Sequence, residues 1–212
     1  MQRTLAAAAS FAAALLFASV ASAQSLADIK KKGTIRLGYS ETSVPFSYKN
    51  KEGAVGGYST EICARVAAAI PADGGGVVKV EWVPLTPQTR LDAVAKGTVD
   101  LECGTTTITL TRREKLDFSL PIFVDTATIL SRKSVAATLP ELQGRKIAVA
   151  ENTTTLPAVE RGLAKRFIKA EIVRAKTVAE AFEMLKAGKV DAMGGDRTAL
   201  VGTFLLGGGA KD

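Results

Sequence analysis

Histidine is absent from this 212-residue chain. That removes the imidazole base of Ser–His and Cys–His sites and the commonest nitrogen ligand of a metal. Cysteine occurs twice, at Cys63 and Cys103, with no Cys-x-x-Cys spacing, so thiolate zinc sites are not indicated either. Aromatics make up only 6% of the residues, and the basic side chains are interspersed with acidic ones. A nucleic-acid footprint, a basic stripe with aromatics set into it, is therefore missing. There is no Gly-x-Ser-x-Gly elbow and no P-loop. Gly74-Gly75-Gly76 stands between a helical and a strand pattern without the rest of a dinucleotide fingerprint and reads as a loop. No pair of carboxylates has the setting of an acid–base couple. Together these absences disfavour an enzyme, and nothing in the sequence asks for a cofactor or a metal.

What is present begins at the N-terminus. Arg3 precedes an uncharged apolar run from Leu5 to Val20, and Ala21-Ser22-Ala23 follows as a small-x-small cleavage site. Residues 1–23 read as a signal peptide cut before Gln24. The run falls short of the roughly 20 apolar residues of a spanning helix, and no later segment is long and apolar enough. The mature chain is expected to be exported, soluble and not membrane-spanning. No cysteine lies at the cleavage site to carry a lipid. A formal charge of +7 favours anions by steering but chooses no ligand. Export makes a disulfide between Cys63 and Cys103 possible. One sits on a predicted helix and the other at a strand end, elements that an α/β lobe can place side by side. Two free buried thiols are the alternative.

The periodicities give an α/β chain. A short helix over Leu26 to Lys32 leads into a strand over Thr34 to Tyr39. Pro45 to Gly57 is a loop with room for a hairpin. Then come a helix over Thr60 to Ile70, a strand over Val77 to Val83, a helix over Gln88 to Lys96 and a strand over Val99 to Leu101. A second series follows: a helical turn over Leu139 to Gln143, then strand Lys146 to Ala150, helix Thr155 to Phe167, strand Ala170 to Arg174, helix Val178 to Ala187 and strand Val190 to Met193. Each series is β-α-β-α-β, which implies a parallel sheet with right-handed crossovers. Each also ends on the same phrase: an amphipathic helix, a glycine C-cap (Gly97, Gly188) and a strand entered through Val-Asp (Val99-Asp100, Val190-Asp191). Two similar lobes are expected, over residues 24–123 and 133–205, with a hinge or crossing over 124–132 and a tail over 206–212. Such lobes bind ligands in the crevice at the C-terminal ends of their strands.

Three stretches carry a resemblance. The first is Gly38 to Gly57, with Val44-Pro45-Phe46-Ser47-Tyr48. The second is Asp100-Leu101-Glu102-Cys103-Gly104-Thr105-Thr106-Thr107, followed by Thr111-Arg112-Arg113-Glu114 and Phe118-Ser119-Leu120-Pro121-Ile122-Phe123. The third is Gly144 to Ala150 with Asn152-Thr153-Thr154, then Val190-Asp191-Ala192 leading to Asp196. In order and spacing these resemble the family 3 extracellular solute-binding proteins, the amino-acid receptors of ABC transporters. The Glu-Cys-Gly form is most similar to the glutamate/aspartate-binding branch. The resemblance implies a two-lobed type II periplasmic-binding fold, a free amino acid as ligand, a membrane permease as partner, the periplasm as location and a monomer as the working form.

It also implies roles. Arg112 holds the ligand carboxylate with its planar fork. Thr105 and Thr107 face the ligand from the first lobe. Thr153 and Thr154 open a helix of the second lobe, whose N-terminus favours an anion, though simple capping is the alternative. Asp196 pairs with the ligand ammonium. Phe46 packs on the ligand or in the core. Arg90 meets a side-chain carboxylate or lies on a solvated helix face. Two positions depart from the acidic-amino-acid receptors: a basic residue after the first strand is here Ser40, and a histidine contact aligns near Val178. A polar neutral ligand such as glutamine is thus open beside an acidic one. The family pattern continues past Asp196 with a second crossing and closing helices. The sequence stops at Asp212, so a truncated receptor with exposed apolar surface is expected. Competing functions are a periplasmic dehydratase of the same fold acting on prephenate-like acids, and a sensory receptor for a membrane kinase.

Overall fold

The computed structural model describes residues 26–132 and 134–206; the expected signal peptide and residues 207–212 of the tail lie outside the described residues. Strand β1 (Thr34–Ser40) alternates, and its Ile35 and Leu37 are 1% and 0% exposed. It pairs in parallel with β5 (Lys79–Leu85) on one side and β6 (Leu101–Glu102) on the other. Helix α1 (Leu26–Lys32) contributes Ile29 to the core beneath this sheet, and α2 (Tyr58–Ala68) contributes Ala67. Between β1 and α2 the expected loop forms a small antiparallel meander of β2 (Thr42–Ser43), β3 (Ser47–Lys49) and β4 (Val55–Gly56). Helix α3 (Arg90–Ala95) connects β5 to β6. Cys63 of α2 and Cys103, just past β6, form a disulfide across 40 residues. Trp82 of β5 packs edge-on against Tyr39 of β1, with ring centroids 5.9 Å apart.

After a short helix α4 (Leu110–Arg113), started by Thr109 accepting from the Arg112 amide at 3.2 Å, the chain passes to the second lobe. Its sheet has the order β7-β10-β8-β9, from β7 (Ala127–Ser131), β8 (Lys146–Ala150), β9 (Glu171–Ala175) and β10 (Ala192–Asp196). All pairs are parallel except β7 with β10. A 3-10 turn, Leu139–Leu142, precedes β8. Strand β8 has Ile147, Ala148 and Val149 at 0% exposure because both faces are covered. Leu156, Val159 and Leu163 of α5 (Thr155–Ala164) pack in one cluster, and Phe182 and Leu185 of α6 (Val178–Lys186) in the other. Helix α7 (Arg197–Leu206) follows β10 directly and leaves Val201, Leu205 and Leu206 exposed.

The repeated phrase has one physical meaning in both lobes. The amide of Asp100 donates to Arg36 O at 2.8 Å, and the Arg36 amide donates back to Asp100 Oδ2 at 2.7 Å. Asp191 does the same with Lys146, at 2.9 and 2.8 Å. Each aspartate thus clamps one residue of the neighbouring strand, Arg36 of β1 or Lys146 of β8, and its own side chain takes a ladder position. That is why β6 begins at Leu101 instead of at Val99. The glycines before these phrases close their helices as Schellman ends: Thr98 and Lys189 donate five residues back, to Ala93 O and Met184 O. Gly97 and Gly188 sit at φ 64° and 68°, where a Cβ is disfavoured. Helix α5 ends in the same way, with Ile168 donating to Leu163 O, but there the left-handed position is Phe167, at φ 57° and 92% exposed.

The crossing expected over 124–132 contains β7, a full member of the second sheet, so the passage between lobes lies before Ala127. Asp125 in that passage accepts from Thr198 N at 3.0 Å and ties the start of α7 to it. The lobes also meet directly. Strand β2 lies against α6, and Gly202 of α7 faces the cis Val44–Pro45 peptide; a Cβ there would come within 3.0 Å of Val44 O. Among the described residues no helix is long and apolar enough to cross a membrane.

Candidate functional site

A cleft opens between the lobes at the C-terminal ends of β1, β8 and β10. Its walls carry Arg90, Thr105 and Thr107 from the first lobe and Thr153, Thr154 and Asp196 from the second. Six of the eight residues expected to touch a ligand are thereby brought together. Arg90 is the first residue of α3, yet it is only 9% exposed and turned inward. Its Nε has no hydrogen-bond partner. Burial lowers the Arg90 pKa, while the negative charges of Glu102 and Asp196 work the other way. A buried guanidinium N–H without an acceptor carries a desolvation cost of about 1–3 kcal/mol that an anion in the cleft would relieve.

Asp196 ends β10 on the opposite wall. Burial pushes its pKa up; the Thr155 hydroxyl, donating to Oδ1 at 3.1 Å, and the charge of Arg90 lower it, and Asp125 raises it. Thr153 donates to Ala150 O at 2.7 Å and so closes the turn after β8, in which Asn152 is left-handed at φ 56°. Thr154 is the N-cap residue of α5 but its side chain does not cap the helix. Its hydroxyl instead shares a hydrogen bond of 3.0 Å with that of Thr107 across the cleft. Thr154 and Thr155 line the cleft, so α5 begins at its wall, and a helix N-terminus suits an anion.

The other two expected contacts lie elsewhere. Phe46 is buried in an aromatic cluster, edge-on to Tyr58 and Phe123 at centroid distances of 6.2 and 4.8 Å, and does not line the cleft. Three rings in mutual contact bury more apolar surface than one ring on a polar ligand. Arg112 stands behind the wall: its Nη1 donates to Thr107 O at 2.7 Å. Burial lowers its pKa, with the charge of Arg90 acting in the same sense and Glu102 opposing. Glu102 itself, on β6 behind Arg90, has its carboxyl pushed up by burial, against the pull of Arg90 and Arg112. Arg90, Arg112 and Glu102 are thus close enough to feel one another's charge, with Arg90 alone of the three lining the cleft.

Sequence reading missed Thr155, Ser43, Thr177 and the Gly194-Gly195 pair, all of which line the cleft. Thr155 continues the Thr153-Thr154 run and was findable on that ground; the others have no local signal. Ser40 and Val178, the two positions that depart from the acidic-amino-acid receptors, both face the cleft.

The model for bacterial extracellular solute-binding proteins, family 3, matches residues 35–167. The L-glutamate/L-aspartate-binding protein of Pseudomonas aeruginosa is 35% identical over 196 residues, which cover 90% of this chain and 65% of that protein. The glutamine-binding protein of Geobacillus stearothermophilus is 30% identical over 185 residues, covering 86% and 68%. A solved ancestral amino acid-binding protein, a precursor of cyclohexadienyl dehydratase, superposes with a TM-score of 0.75 at 32% identity, covering 86% of this chain and 78% of its own. The chain spans between 61% and 65% of the length of the glutamate/aspartate-binding relatives it matches. With a sheet flanked by helices in each lobe it has the type II periplasmic-binding fold, and it belongs to the family 3 bacterial extracellular solute-binding proteins.

Proposed function

We propose that this chain is a monomeric periplasmic receptor that closes on a free amino acid, acidic or polar, and delivers it to the permease of an ABC transporter. One observation carries the reading. A buried guanidinium with a free N–H and a partly buried carboxyl group stand on opposite walls of a hydroxyl-lined cleft between two lobes. A molecule with a carboxylate and an ammonium in fixed geometry answers both. No bond is made or broken; closure buries the ligand and shifts the open–closed population. The names of the relatives, which bind glutamate, aspartate or glutamine, support the same class.

Arg112 decides the charge of the ligand. If it exchanges Thr107 O for the ligand α-carboxylate, Arg90 is left for a second carboxylate and the ligand is acidic. If it stays on Thr107, Arg90 takes the single carboxylate and the ligand is neutral and polar. Thermal unfolding with each common amino acid in turn tests this, because a ligand of the folded state raises the midpoint. A selective rise with glutamate or aspartate, abolished by both Arg90→Ala and Arg112→Ala, supports the acidic form. A rise with glutamine that survives Arg112→Ala supports the neutral form. A cooperative transition that no amino acid moves sinks the receptor reading.

The dehydratase reading draws on one observation: the carboxyl of Glu102, raised by burial, lies behind an arginine that suits an anionic substrate. Turnover of prephenate, followed by loss of substrate, separates it from simple binding.

A further inference from the structure

We propose that Gln88 is a positioning residue: it sets how firmly the two lobes hold a ligand without touching that ligand. It rests on the lobe-closing reading above. Gln88 lies in the turn before α3, next to Pro87 and two residues from Arg90, both of which line the cleft. Its own side chain is not in that wall. It reaches over the rim to the second lobe, where Nε2 donates to Lys176 O at 3.0 Å and to Glu151 Oε1 at 3.3 Å. Lys176 follows β9 and Glu151 follows β8, so one amide group grips the exits of two neighbouring strands. The partners are 63 and 88 residues away in sequence, and only apposition of the lobes brings them within reach.

Both bonds exist when the lobes are together and are lost when they part. They therefore stabilise the closed form whatever the ligand is. A ligand's apparent affinity scales with the fraction of molecules in the competent form, so a change at Gln88 moves every affinity by one common factor. By contrast, Thr107···Thr154 lies inside the cleft, where a ligand competes for the same hydroxyls. Glu151 adds a charge to the argument. Replacing the Gln88 amide by a carboxylate sets two like charges at the rim and turns the attraction into a salt-sensitive repulsion.

The experiment compares the full chain with Gln88→Leu and Gln88→Glu. Dissociation constants and off-rates are measured for L-glutamate, L-aspartate and L-glutamine. Lobe separation is read without amino acid by the distance between spin labels on Glu81→Cys and Glu160→Cys, both exposed positions on opposite lobes. The native cysteines are bonded to each other, which leaves the introduced ones for labelling. Gln88→Leu is expected to weaken every bound amino acid by the same factor, up to about tenfold, mostly through the off-rate, and to lengthen the label distance. Gln88→Glu is expected to do more, and added salt to restore part of it. Unchanged affinities and distances in both variants overturn the proposal, and so does a change in the ratio among ligands, which would mean direct contact. If wild type binds no amino acid, the receptor reading fails, and the label distances alone decide: longer in the variants supports the latch, unchanged overturns it.

Discussion

At the scale of single residues, the cleft depends on charges held in unfavourable surroundings. In the proposed receptor Asp196 must be ionised to hold an ammonium, and burial raises its pKa above the ordinary aspartate value. Ligand affinity should therefore begin to fall at a higher pH than for an exposed aspartate, and should keep falling as the carboxylate protonates. Asp196→Asn removes the charge at all pH values. It is expected to cost about 2 kcal/mol of binding near neutrality, the size of a charge-assisted hydrogen bond, and to flatten the pH dependence; titration calorimetry across pH reads both. A second residue works against the fold. Phe167 occupies the left-handed helix end that Gly97 and Gly188 occupy elsewhere, with its ring almost wholly in solvent. A bulky residue is strained there and gains nothing from burial. Phe167→Gly should stabilise the protein by about 1 kcal/mol, seen as a higher denaturant midpoint with an unchanged slope.

At the scale of elements, the disulfide joins α2 to the exit of β6, the strand that leads into the cleft threonines. Closing a 40-residue loop constrains the unfolded chain by about 4 kcal/mol in the loop-entropy account. Reduction with dithiothreitol, or Cys63→Ala with Cys103→Ala, is expected to lower the unfolding midpoint clearly; an unchanged midpoint would show that the sheet around β1 supplies this order alone. Elements were also the level at which the sequence was most readable. Strand β8 is legible because the four residues after Lys146 are apolar and the run lies between turn signals, and the structure gives the same bounds, Lys146–Ala150. Helices α2 and α3 are legible as helices, with ends displaced by about a turn or less. Strand β6 is legible as a strand but lies later than the expected Val99 to Leu101, because Asp100 makes a side-chain bond in the ladder that no alternation pattern encodes. Strand β7 escaped for another reason: it belongs to the second sheet only through antiparallel pairing with β10, sixty-odd residues on. The cleft divides the same way. Thr105, Thr107, Thr153 and Thr154 sit in motifs at strand ends and are visible locally. Ser43, Thr177 and Gln88 reach the site or its rim only because the lobes meet, and the direction of the Arg112 side chain follows from its bond to Thr107.

At the scale of the whole molecule, the proposed closure requires a close fit away from the cleft. Gly202 supplies it by letting α7 approach Val44 and Pro45 of the first lobe. Gly202→Phe places a ring where even a methyl group is tight. The variant should fold, hold the lobes apart and bind the proposed amino-acid ligand at least tenfold more weakly, with the common weakening across ligands that a wedge implies. Equal affinities for wild type and variant would show that α7 shifts freely against the first lobe.

Trp82 has a consequence of its own. It is the single tryptophan of the chain, and it stacks edge-on against Tyr39 within the first sheet. The protein thus carries one indole fluorophore, in one lobe. Emission excited at the indole band reports on the first sheet and not on the second, whereas far-ultraviolet circular dichroism averages over both. Denaturation followed by the two signals together distinguishes lobes that melt as one from lobes that melt in turn, with no label attached.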